Sequence, residues 1–173
     1  NEEVITGIYS SIVEQSRQPN FYIRCGVPDT SDGRFDMITI HVFLVIRLLK
    51  KKTDEATNLA QEIFDLMFTD MEQNLREMGN GDLGISKKIM AMTEVFYGRI
   101  KAYEDGLTDT LLLEKALNRN LFREINPNGD QIRSIAKYIQ REALRLEKID
   151  INEILAGKFF FGSPPDFSSE KND

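Results

Sequence analysis

The sequence is poor in the residues that build disulfides, metal sites and indole anchors. Cys25 and His41 are the single cysteine and histidine among 173 residues, and tryptophan is absent. One cysteine excludes a disulfide within the chain and any site built from several cysteines. One histidine, with Arg24 the lone basic neighbour of Cys25, supports neither a Ser–His–Asp nor a Cys–His–Asn set. We therefore predict no catalytic residue, no metal and no cofactor.

Excess positive charge and long apolar runs are also lacking. The net charge is −6, from 28 acidic and 22 basic residues, which argues against broad nucleic-acid binding and predicts no DNA partner. The most hydrophobic run, Met37 to Leu49, is shorter than the roughly 20 residues that span a bilayer. It predicts a central helix buried on nearly all sides, and the alternative is a surface that touches a membrane or a hydrophobic client.

The apolar residues that are present recur at helical spacing. A chain of this length fits one domain, and we predict an all-α, single-domain bundle of six or seven helices around a long central αα-hairpin over residues 56–103. Residues 1–18 are expected to form an N-terminal helix, 19–162 the main helical domain and 163–173 a disordered tail. The two inward stripes of the hairpin are Ala56, Leu59, Ala60, Ile63, Leu66, Met67, Met71, Leu75 and Met78, then Leu83, Ile85, Ile89, Met92, Val95, Phe96, Ile100 and Tyr103.

Local signals place the other elements. Phe21 to Ile23 are expected on the core, as an extended segment. Thr53 or Asp54, and later Thr108 or Asp109, are predicted helix caps. The spacing of Asp150 and Glu153 is that of a capping box.

Residues 79–84 match the pattern G-x-G-x-x-G. A dinucleotide site needs a strand before this motif and a βαβ unit around it, whereas here a long helix precedes it. We interpret the motif as a helix end followed by a turn, with Gly79 or Gly81 at positive φ.

A basic cluster, Arg47 with Lys50, Lys51 and Lys52, follows the apolar run. Cations at a helix C-terminus complement its dipole. The alternative is a docking patch for lipid headgroups or RNA on a membrane- or ribosome-docking scaffold.

Tyr97, Gly98 and Arg99 interrupt a good helix with glycine. Such a glycine favours the close approach of another backbone. The other interpretation is an exposed contact site made by Tyr97 and Arg99, since both types are enriched in interface hot spots.

Several motifs in one order resemble the ubiquinol–cytochrome c chaperone family. The resemblance runs from about Tyr22 to Tyr103 and more loosely to about Leu146. Its motifs are FDMITIHVFLV at 35–45, FDLMFTDM at 64–71, NLREMG at 74–79, GDLG at 81–84 and FYGR at 96–99.

The resemblance implies a non-enzymatic assembly factor for the cytochrome bc complex (complex III). Mitochondrial members bind newly made cytochrome b, with a small partner protein, near the ribosomal exit site. Without a long mitochondrial extension, the chain resembles a bacterial member, expected in the cytoplasm and at the periphery of the inner membrane, or on the matrix side if eukaryotic. Within the matching motifs, His41, Asp82, Tyr97 and Arg99 are the expected partner-binding face.

The first residue is Asn1, with no initiator methionine, no basic n-region and no apolar h-region after it. This beginning is typical of a piece of a longer protein, from which a targeting or anchoring segment has been removed.

Overall fold

The computed structural model describes residues 2–123, 125 and 127–166, and the regular structure within them is entirely helical. The all-α prediction is confirmed, with six longer helices and two short ones of 5 residues each. The helices in chain order are α1 (Glu2–Ser16), α2 (Pro19–Ile23), α3 (Ser31–Lys50), α4 (Asp54–Glu77), α5 (Asp82–Gly106), α6 (Thr110–Asn120), α7 (Gly129–Glu147) and α8 (Ile151–Leu155).

Helix α3 is the most buried element, as its apolar run predicted. It packs against α1, α4, α5 and α7, so its sides are covered by four helices. From Met37 to Leu49 every side chain is buried except those of Ile38 and Arg47, which are partly exposed. Across the part of the chain that the structure describes, no helix is both long and apolar enough to cross a membrane.

The helix starts follow the predicted side-chain caps. Thr53 accepts a hydrogen bond from the amide of Ala56, and Asp109 accepts one from the amide of Leu112. Asp150 also caps its helix, through the amide of Asn152. The reciprocal capping box is elsewhere, between Asn128 and Gln131 at the start of α7.

The extended segment expected at Phe21 to Ile23 is wrong, because these residues lie in α2. Pro19 occupies the first turn of this helix, where its missing N–H costs nothing. The amide of Phe21 bonds to the carbonyl of Gln18, and the Phe21 ring is buried in the core.

The predicted hairpin forms from α4 and α5. Gly79 has φ +88°, and the amide of Asn80 bonds back to the carbonyl of Leu75, so the glycine motif ends one helix and leads into the next. The prediction assigned too many residues to the two inward-facing stripes, because Met78, Leu83 and Val95 are exposed. These three lie near the turn or on the outer side of α5, where no other helix covers them.

After α8, the chain folds back across the bundle. Phe159 is buried, and the Phe161 ring lies 4.9 Å from that of His41. We call residues 158–163 the strap. The strap is fixed at Gly162, whose amide donates to Glu142 at 2.6 Å and whose carbonyl accepts from Gln15 at 2.8 Å. The predicted disordered tail begins at Ser163, and residues 167–173 lie outside the described residues.

Candidate partner surface

His41 lies inside the bundle and not on a surface. Its Nδ1 lies 2.9 Å from the carbonyl oxygen of Met37 and its Nε2 lies 2.8 Å from the hydroxyl of Tyr138. Because the carbonyl can only accept, Nδ1 carries the proton and Nε2 accepts from Tyr138. The Tyr138 oxygen accepts in turn from Gln15 at 2.9 Å. Burial lowers the pKa of His41 to about 4, so the ring is neutral at pH 7 and belongs to a satisfied core network.

Arg99 is also buried, in an ion pair with the fully buried Asp36 of α3. Arg123 approaches the same carboxylate at 3.2 Å from a partly exposed position. Burial raises the pKa of Asp36 to about 6 even though both guanidinium groups favour its ionised form. Arg99 therefore joins α5 to α3 and is held away from solvent.

The cations of the basic cluster mostly have partners within the chain. Arg47 contacts Glu104 at 2.9 Å and Glu147 at 2.7 Å, and Lys51 lies 3.6 Å from Glu147. Lys52 donates to the carbonyl of Glu147 at 3.0 Å, and Lys50 is exposed. The cluster joins α3 to α5 and α7, which leaves less free positive charge for docking than the sequence indicated.

Of the four residues expected to form the partner-binding face, Tyr97 and Asp82 are the two that lie exposed to solvent. The Tyr97 ring leans on the Phe64 ring of α4 with centroids 5.7 Å apart. Asp82 forms a 2.7 Å ion pair with Arg76 across the hairpin turn. The structure thus separates the four residues of the expected face, with Tyr97 and Asp82 outside and His41 and Arg99 inside.

Tyr97 has neighbours that sequence reasoning missed. Leu83, Met90 and Tyr97 expose 72%, 68% and 57% of their surfaces on the outer side of α5. They recur every seventh residue, so they lie on one side of the helix. We call these three residues the α5 strip. The seven-residue spacing was readable in the sequence, but Leu83 was assigned to the buried stripe and Met90 to neither face.

No other backbone of the described chain comes close to Gly98, so the expected close approach does not occur inside this fold. A Cβ added at Gly98 finds no atom within 4 Å, and the same holds at Gly84. At Gly106, at the end of the same helix, there is no space for a side chain. Its added Cβ would lie 2.8 Å from the Cα of Leu113.

Alanine substitutions at these two glycines are expected to change the stability of the fold in opposite directions. In a dilute solution of the protein, Gly98→Ala is expected to stabilise the fold by up to about 1 kcal/mol, because alanine is the better helix residue and nothing blocks its methyl group. Gly106→Ala is expected to destabilise it by about 1–3 kcal/mol, because α6 must move. Urea unfolding followed by circular dichroism measures both. Shifts of the same sign would contradict the packing described here.

Comparisons with known proteins agree on one family. The model of the family described as "Ubiquinol-cytochrome C chaperone" matches residues 24–161. The chain is 26% identical over 149 residues to ubiquinol-cytochrome-c reductase complex assembly factor 1 of Xenopus laevis, covering 86% of this chain and 74% of that protein. It is 28% identical to the mitochondrial protein CBP3 of Saccharomyces cerevisiae, covering 87% of this chain and 46% of that protein.

A solved structure has the same fold. The crystal structure of the Cbp3 homolog from Brucella abortus superposes with a TM-score of 0.86 at 33% sequence identity. The match covers 94% of this chain and 91% of that one. The arrangement of helices is therefore shared nearly from one end of the described chain to the other.

The fold and site define an all-helical protein that displays an apolar strip on one long helix. In the described ranges, no three metal-ligating side chains come together as a metal site. With the family model matching most of its length, the chain belongs to the ubiquinol-cytochrome C chaperone family. Those of its relatives that are named for a function are assembly factors of ubiquinol-cytochrome c reductase.

Proposed function

We propose that this protein is a non-enzymatic assembly factor for the ubiquinol–cytochrome c reductase, and that it binds newly made cytochrome b. The family match supports the assembly role. The observation that carries the binding step is the α5 strip, where three large apolar side chains face water. Exposed apolar patches on soluble folds are typical of binding sites.

The apolar surface of cytochrome b is suited to binding at the α5 strip. A membrane cytochrome presents apolar helices before it is assembled, and an apolar helix can lie along another helix by contacts repeated every three or four residues. Tyr97 and Asp82, both accessible, remain our proposed contact residues, with Asp82 one residue before Leu83. We assign His41 and Arg99 to the core. We place the protein at the cytoplasmic face of a bacterial inner membrane, or at the matrix face if the source is eukaryotic.

The test is affinity capture of the tagged protein from gently solubilised cells, with cytochrome b measured by mass spectrometry. Met90→Glu is expected to reduce recovery on the order of tenfold, because it places a charge within the apolar contact. Tyr97→Ala should reduce it by less. The matched control is Leu144→Glu on α7, since Leu144 has a similar exposed fraction of 64% away from the strip.

Unchanged melting temperatures would show that both glutamate variants fold. Equal recovery of cytochrome b with Met90→Glu and Leu144→Glu would overturn the assignment to the α5 strip. No recovery even with the wild type would overturn cytochrome b as the client. The same capture also measures the recovery of a small partner protein and of ribosomal proteins. Enrichment of either over a mock capture would identify it as a further partner.

A further inference from the structure

The α5 strip has a second row of residues beside it that are small. Gly84, Ala91 and Gly98 each follow one of the large residues Leu83, Met90 and Tyr97 and are exposed. Glycine is disfavoured inside a helix, and the chain offers no packing reason for it at residues 84 and 98, where an added Cβ meets nothing. A flank without side chains allows the backbone of another helix to come close.

Two opposite charges lie between the rows. Lys87 and Glu94 are both exposed on this side of α5. At seven residues apart, they are too distant along the helix to pair with each other. Within the described residues, neither forms an ion pair. Both are therefore available to a partner.

The charged and apolar residues on this face of α5 are ordered so that they can pair with the same face of a second copy. When two α5 helices lie antiparallel about a twofold axis that passes between Met90 and Ala91, Lys87 of each copy is level with Glu94 of the other. On one flank, Leu83 then lies beside Tyr97 of the second copy, and Met90 beside its own equivalent. A parallel pair in register would instead put Lys87 beside Lys87 and Glu94 beside Glu94.

We propose that the protein forms a symmetric homodimer through antiparallel pairing of the outer face of α5. Such an interface is isologous, because the same surface is used by both copies. The paired length from Leu83 to Gly98 is about 22 Å at 1.5 Å per residue. One helix pair buries less than a standard interface of about 800 Å² per partner. Because small interfaces are typical of weak, transient complexes, we expect a reversible dimer with a Kd on the order of 10–100 µM.

This inference goes beyond the proposed function, since it concerns the purified protein alone. It has one consequence that rests on the proposed function. Because a second copy and a client helix use the same strip, they exclude each other, and the dimer covers the apolar residues while no client is bound.

Charge reversal tests the antiparallel register. Sedimentation analysis over a concentration series is expected to show a monomer–dimer equilibrium for the wild type. Lys87→Glu and Glu94→Lys each place like charges level, twice per dimer, and each should raise the Kd at least about tenfold. An equimolar mixture of the two variants should dimerise again, since every level pair is then Glu with Lys. The double variant should also dimerise.

The control is Lys115→Glu, an exposed lysine on α6 and outside the proposed α5 interface, which should dimerise like the wild type. Circular dichroism confirms that each variant is folded. A wild type that stays monomeric at several times the expected Kd would overturn the proposal, and so would a mixture that associates no better than its components. The measurement contains no client, so a dimer without cytochrome b capture would overturn only the proposed function, and capture without a dimer only this inference.

Discussion

Replacing Arg99 by alanine is expected to lower the free energy of unfolding by about 3–5 kcal/mol, because it leaves a buried carboxylate with one partly exposed partner. Asp36 is fully buried, and of its two guanidinium partners Arg123 has 41% of its side chain exposed. Arg123 therefore cannot replace the buried pair. The loss is measured by urea unfolding with the wild-type slope retained.

The exposed Arg76–Glu72 pair supplies the control for this variant. Its two side chains are 47% and 46% exposed, and Arg76→Ala is expected to leave the urea midpoint close to that of the wild type, because exposed ion pairs contribute little to stability. The double variant Asp36→Leu with Arg99→Met should recover most of the lost stability, since apolar residues can replace a buried ion pair. An Arg99→Ala variant as stable as Arg76→Ala would show that Arg99 is not structural and would return it to the candidate partner surface.

The second large effect is expected at Glu142, which fixes the strap. Its carboxylate accepts from Arg145 at 3.0 Å and from the amide of Gly162 at 2.6 Å. Burial raises the pKa of Glu142, but these bonds and the nearby arginines outweigh it and the net shift is downward. Glu142→Ala should cost about 2–4 kcal/mol, because charge-assisted bonds are lost and the Gly162 amide is left unpaired.

Amide hydrogen exchange measures how the loss of Glu142 affects the strap itself. The amide of Gly162 is expected to exchange much faster in Glu142→Ala, because the bond that protects it is gone. Glu72→Ala, which removes an exposed carboxylate, should leave that exchange unchanged. If the Gly162 amide kept its wild-type rate in Glu142→Ala, the strap would be held by the phenylalanine contacts and not by Glu142.

The helices were predictable because their causes are local. The apolar run from Met37 to Leu49 and the caps Thr53 and Asp109 act within one helix or one turn. Neighbouring residues alone located the run and narrowed each cap to two candidates. The short helix α2 was missed, since its five residues make fewer than two turns, too few for a helical spacing of apolar residues to repeat.

The roles of the polar residues were not predictable from local pattern. His41 forms a hydrogen bond with Tyr138, which lies 97 residues away in the sequence, and Arg99 forms an ion pair with Asp36, which lies 63 residues away. Nothing near either residue in the sequence shows whether its polar group is satisfied inside the fold. Tyr97 differs because its exposure follows from the side of α5 on which it lies, and the repeat that includes Leu83 and Met90 was present in the sequence.

The strap also determines the order in which this domain is completed. Gln15 bonds to Gly162 across 147 positions, and Phe161 covers the ring of His41. During synthesis, α1, α3 and α7 all leave the ribosome before the strap does, so until then the imidazole lacks its contact with the Phe161 ring. Contacts between such distant residues slow the search for the native state, because the loop between them must be closed first. The strap is therefore the last of the segments around His41 to be synthesised, and this part of the core cannot be fully covered until the C-terminal end of the domain has emerged.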